Sequence, residues 1–542
     1  MKTLKLKSLI GAAVIGLSAQ AQTLNDGLKA FEFEKFEAAR SIFSALVQKD
    51  AKDAESWFYL GQAYTNLYKD DSAAWAYNQG VLNNPKSGYN YIGLGELQLA
   101  QKNIPQAQAQ FKIALDLVRG RDGIIKDAKT LRLVAEAMIN TDNKLVDDAS
   151  NYIQSALEVA PNDYEVLITA GELEIEKNKT NVGPAASIFE KAIDIQPKNP
   201  YAHTQLAAIW IRVRNSSTAL ASLDTALKLD PNYAPALKLK SELYYRSKRY
   251  EEAKKYYTRY LEQSEASTAN QTRFVRILYN SKDYEEVVKI IPEIQKTDKS
   301  DKYMYRLLGY SYYEVADEKK DTNLIRPGID ALNTFLATID PAKIIALDYE
   351  YLGKLYGKLK GKDSLALYNF KKALEIDPNK TELYREMGVL YNSIRKFDLA
   401  ITSFETYIAN TKKVTLVDYQ RLGLSAYYGK QYAKSDSAYA KILEQQPTYA
   451  DGYLWRGNNQ QFLDPQAKDT LGYFYYNTYI SMAESNTEKN KKNLLIAYDY
   501  MVTYFIQKDK PAESKIYLNK ILTLDPENKR AKDILKQLSG GK

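Results

Sequence analysis

Apolar and small residues recur along this chain at helical intervals, with polar residues between them. In the clearest stretch Trp57, Leu60, Gly61 and Tyr64 fall at i, i+3, i+4 and i+7, one face of a helix. Ala73, Tyr77 and Gly80 follow at i, i+4 and i+7 and predict a second helix, which Pro85 stops. The same offsets return about 34 residues later in Tyr91, Leu94, Gly95, Ala107, Phe111 and Ala114. They appear again in Tyr384, Met387, Gly388, Tyr391, Ala400, Phe404 and Tyr407. Small residues at Gly61, Ala73 and Gly80 let two helix backbones approach, while the aromatics fill the space beside them. Such a hairpin cannot bury its apolar face alone, so neighbours must stack into a solenoid.

The aromatic/Leu/Gly/Tyr then Ala/aromatic/Ala/Pro skeleton resembles the tetratricopeptide repeat, and the match runs along nearly all of the chain after residue 21. The resemblance implies an all-α, superhelical solenoid of about fourteen helix–turn–helix units with a C-terminal capping helix. N-terminal units cover 22–121, central units 130–301, one unit with an insertion 302–345, and C-terminal units 346–528. Over 529–542, Ala531, Ile534, Leu535 and Leu538 keep helical spacing among lysines, the expected capping helix and tail. Residues 120–129, 314–327, 462–471 and 484–493 break the period and are expected as inserted loops.

The first 21 residues follow another pattern. Lys2, Lys5 and Lys7 give a basic start, residues 9–17 an apolar core, and Ala19-Gln20-Ala21 a small-x-small end. This order predicts a secretory signal peptide cleaved before Gln22. No later segment approaches the roughly 20 apolar residues a transmembrane helix needs. The expectation is a soluble, exported, periplasmic protein. The chain has no cysteine, which excludes disulfides, thiol catalysis, thiolate metal sites and lipid attachment at a cysteine. Its 75 basic and 67 acidic residues are interleaved without a basic block, which argues against nucleic acid as partner.

Little in the sequence suggests chemistry. The single histidine, His203, stands at an offset that other units give to a core aromatic, so a packed core histidine is expected. Acid pairs such as Glu251-Glu252 and Glu285-Glu286 sit at helix starts, where they complement the helix dipole. No phosphate-binding glycine loop is present. The reading is non-enzymatic, with no cofactor and no metal.

Binding is the remaining role. Tyr303, Arg306, Tyr310 and Tyr313 fall at offsets expected to line the inner, concave face, as do Arg276, Tyr279, Glu350, Lys354, Glu382, Arg385 and Gln420. Tyr and Arg are enriched at protein-interface hot spots. The chaperone-tail clamp found in some tetratricopeptide proteins is not matched, because Lys238 fits but Glu242 stands where that clamp has Asn. The composition resembles exported repeat proteins of Bacteroidota. It implies a periplasmic scaffold or adaptor that holds another envelope protein in an outer-membrane secretion, assembly or uptake complex. A glycan- or nutrient-binding accessory of a starch-uptake-type system is the alternative. Oligomeric state is left open.

Overall fold

Each period folds into an antiparallel helix pair, and the local sequence shows how each pair is bounded. Asp53, Asp127, Asp163 and Ser267 accept hydrogen bonds from the first-turn amides of Ser56, Thr130, Val166 and Asn270, starting first helices. In many pairs a residue other than glycine takes the left-handed conformation between the two helices: Tyr68, Lys102, Arg214, Lys248, Lys282, Arg395 and Lys430 have φ between 57° and 68°. The amide after it bonds back to the ending helix, as Lys69 N to Tyr64 O (3.0 Å) and Lys396 N to Tyr391 O (2.8 Å). That closes a Schellman-type turn, which satisfies carbonyls the helix end leaves open.

The computed structural model describes residues 22–178 and 180–540; the expected signal segment, 1–21, lies outside the described residues. Among the described residues fourteen helix pairs follow one another, from Leu24–Glu32 with Phe36–Lys49 to Thr487–Gln507 with Pro511–Leu524. A single helix, Lys529–Gly540, closes the array, with Ala531 buried and Ile534, Leu535 and Leu538 packed on the last core cluster. The protein is all-α. The one backbone bridge among the described residues, Arg119 to Ile125, closes the irregular loop before Ala128. No described helix is long and apolar enough to cross a membrane.

One contact recurs in both halves. The second-helix aromatic lies flat against the first-helix glycine: Phe43 on Gly27, Tyr77 on Gly61, Phe111 on Gly95, Phe189 on Gly171, Phe370 on Gly353, Phe404 on Gly388 and Tyr439 on Gly423. A Cβ at Gly61 would stand 2.1 Å from the Tyr77 ring, so a side chain there would expel the aromatic. Tyr77 also touches Gly93 of the next pair, which makes one ring the wedge between two units.

Two expected insertions are helix instead of loop. Most of 314–327 extends the first helix to Lys319 and opens the second at Ile325, with a short 3-10 turn, Thr322–Leu324, between. Residues 487–493 are the first turns of the 21-residue helix Thr487–Gln507. Polar positions there broke the repeat pattern without breaking the helix. The chain divides into two compact bodies, the first ending at Ser300 and the second beginning at Asp301.

Candidate functional site

In the second body the predicted site residues fasten one unit to the next. Asp348, fully buried, accepts from the backbone N–H of Ile345 (2.8 Å) and thereby starts its helix. The guanidinium of Arg306, from the preceding unit, donates to both Asp348 oxygens (2.7 and 2.8 Å), and the Tyr310 hydroxyl donates to Oδ1 (2.6 Å). Tyr310 is only 2% exposed and stacks on Tyr351 at 4.2 Å. The expectation that it lines an open face is corrected. Its position follows that of Gly309, and the long helix Tyr303–Lys319 turns it toward the next unit's Asp348.

The design repeats with looser geometry. Arg385 approaches the buried Asp418 at 2.9 Å, off the axis of a hydrogen bond, and Asp418 accepts from Thr415 N (2.9 Å). Glu350 binds both Lys354 and Lys380 at 2.6 Å. These hydrogen bonds and ion attraction outweigh its burial and lower its pKa. Gln420 donates to the Tyr449 hydroxyl (3.3 Å). Tyr313 is half-buried with its edge on Tyr351. Tyr303 is 37% exposed. In the first body Arg276 and Tyr279 are half-buried, and Tyr279 packs edge-on to Tyr284 at 5.6 Å. A buried carboxylate must be paired to be tolerated, which explains why inner-face Arg is drawn into the solenoid's own joints. Glu382 stays exposed, with only a long contact from Tyr407 OH at 3.5 Å.

His203 is half-buried rather than a core residue, and burial lowers its pKa. Lys238 and Glu242 are engaged within the first body, with Glu34 (2.8 Å) and Arg273.

The more open chemistry lies on the inner wall of the first body, and sequence reasoning passed over it. Gln62 follows Gly61, Glu96 follows Gly95, Glu136 follows Ala135, and Glu172 follows Gly171. The residue after each small position holds one register, a row of one amide and three acids, and Gln62, Glu96 and Glu136 of that row face a common cavity. These first helices surround a cavity of about 400 Å³, lined by Phe58, Tyr59, Gln62, Glu96, Arg132 and Glu136 together with Glu55, Glu165 and Lys129. Burial pushes the Glu96 carboxyl up to about 7, partly offset by the hydrogen bond from Gln62. Burial, then the charge of Glu136, pushes Glu172 up to about 7 as well; Tyr201 donates to it at 2.8 Å. Burial opposes the charge of Arg132, but Glu136 and Glu165 outweigh it and raise its pKa. The wall combines aromatic faces with more carboxylates than cations, a surface able to grip a mixed apolar and cationic segment.

Stacked helix pairs with a glycine–aromatic lock define the class as a repeat solenoid. Two tetratricopeptide-repeat family profiles match the chain, over residues 24–90 and 215–265. Among solved structures, the C-terminal part of a TPR repeat-containing protein from Cytophaga hutchinsonii is 30% identical, covering 49% of this chain and 99% of that one, with a TM-score of 0.39. The chain belongs to the tetratricopeptide-repeat proteins. The P58(IPK) TPR domain is 14% identical over 75% of this chain and 97% of its own, TM-score 0.26. The RNA polymerase-associated protein CTR9 of Caenorhabditis elegans is 21% identical over 438 residues, which are 74% of this chain. The chain spans 37% of that relative's length.

Proposed function

We propose that this protein is a non-enzymatic scaffold or adaptor of the cell envelope, exported to the periplasm, that holds a segment of another envelope protein within a secretion, assembly or uptake complex. The observation that carries the reading is the cavity in the first body, lined by Tyr59 and by four carboxyl side chains, Glu55, Glu96, Glu136 and Glu165, against two cations, Lys129 and Arg132, which pair with Glu55 and Glu136. Tetratricopeptide repeats imply protein partners, and the basic/apolar/small order of residues 1–21 supports export. The composition's resemblance to exported repeat proteins of Bacteroidota adds to the envelope reading. In the second body, Tyr303, Tyr313, Lys354 and Gln420 keep enough exposure to add contacts.

A photo-crosslinking residue placed at Tyr59, on the cavity, tests this in native envelopes against one at Trp75, which is 51% exposed on a second helix. One specific adduct at 59 and none at 75 is expected, on a chain whose intact mass begins at Gln22. Equal labelling at both positions, or a retained Met1–Ala21, refutes the corresponding half of the proposal.

A further inference from the structure

The first helix pair does more than begin the stack. Its turn reaches residues about two hundred positions away and is gripped there. The Lys238 ammonium donates to both oxygens of Glu34 (2.8 and 2.9 Å), and the Tyr260 hydroxyl donates to the same carboxylate. The Tyr233 hydroxyl donates to Glu32 (2.6 Å), and Phe33, 8% exposed, sets its edge against the Tyr233 ring. A second, independent tie lies beside it. The helix Phe36–Lys49 has no side-chain cap of its own at Lys35. Its first amides, Glu37 N and Ala38 N, donate instead to the two oxygens of Glu265, each at 2.8 Å. A cap supplied from so far along the chain works only while the two ends of the first body stay together.

Away from this clasp the helix Leu24–Glu32 is held by its own pair and the next, through Gly27 under Phe43 and through Leu24, Leu28 and Phe31 on the cluster of Ala39, Phe43 and Trp57. Leu28 borders the 400 Å³ cavity on one side and a second cavity of about 750 Å³ on the other. Glu165, opposite, borders both. The helix therefore stands as a partition with space on either side, and Phe31 closes the inner cavity.

We propose that the clasp of Glu32, Glu34 and Glu265 with Tyr233, Lys238 and the Phe36–Lys49 helix start is a gate: it opens to admit a partner segment to the inner wall and closes behind it. This rests on reading that wall as the partner site. Closed, the gate makes the first body a self-satisfied ring, in which the acidic turn occupies its own cradle. Opening exchanges those bonds for water, moves the first helix pair as a piece so that Leu28 and Phe31 leave the cavity, and keeps the glycine–aromatic lock within each pair.

The test needs no partner, so its failure is separate from failure of the scaffold reading. Because the chain lacks cysteine, Gln62→Cys provides a single thiol on the cavity wall of the full-length protein. Ala207→Cys, at a fully buried site outside the clasp, reports unfolding. Labelling by a maleimide reagent is timed with the clasp intact, with Lys238→Gln, and with the milder Glu265→Gln. Weakening the clasp is expected to speed labelling at position 62 by about tenfold or more, with position 207 still protected. Unchanged rates at 62 in both variants overturn the gate. So does equal acceleration at 207, since the ends would then part only by unfolding the body.

Discussion

Replacing Arg306 by alanine separates a structural joint from a binding anchor. Arg306 is the cation that neutralises Asp348, whose side chain is wholly buried; the Arg306 side chain keeps only 13% of its surface exposed. After truncation Asp348 retains the Ile345 N–H and Tyr310 O–H donors but loses its two charged ones, at 2.7 and 2.8 Å. Removing one partner of a buried ion pair costs about 3–5 kcal/mol. The surviving hydrogen bonds and slight exposure of Arg306 put this case near the lower end, about 3 kcal/mol. Loss of the guanidinium from over the Phe335 ring, at 4.3 Å, adds a smaller packing term. Solenoids unfold partly unit by unit, so a single melting temperature is a blunt measure. Hydrogen exchange should therefore lose protection in Tyr303–Lys319 and Ala346–Gly357, while Glu382–Ser393 is little changed. Adding Asp348→Ala to Arg306→Ala should cost less than the two single effects combined, because the pair acts as one unit. If Arg306→Ala leaves exchange and urea unfolding within about 0.5 kcal/mol of the parent, the joint contributes nothing and Arg306 is free to act as an anchor.

Gly353→Trp should destabilise by about 3 kcal/mol or more, since even a Cβ would lie 2.5 Å from Phe370 and 3.2 Å from the Ala366 carbonyl; an unchanged melting temperature would show the lock is not tight. The carboxyls of Glu96 and Glu172, raised from 4.5 to about 7, hold protons when folded that the unfolded chain has released. Their contribution is fully present below pH 4.5 and is lost as pH rises through 7, by up to about 3 kcal/mol each before allowance for water in the cavity. Glu96→Gln should accordingly gain stability relative to the parent between pH 5 and pH 8 in urea titrations, and a constant difference would contradict the burial of that carboxyl.

The period, the helix pairs and the glycine–aromatic lock were legible in the sequence because each depends on residues within one repeat. Gly61 and Tyr77 face each other whatever lies beyond, as do Gly388 and Phe404. The turn between helices was harder to read, since lysine, arginine or tyrosine holds the left-handed position where glycine would have marked it. Helix boundaries at 314–327 and 487–493 were hidden for a related reason: polar positions on a long helix look like a loop once the apolar period lapses. The inner face was readable as a register but not as chemistry. Tyr310 and Glu96 hold the same place after the repeat glycine. One is buried against the next unit's Asp348 and the other borders a cavity. The difference lies in which side chains the neighbouring units bring to meet them. The clasp of Glu34 on Lys238 and of Glu265 on Glu37 had no local signal at all. Its partners lie more than two hundred residues apart, and only the accumulated rotation of successive helix pairs brings them together.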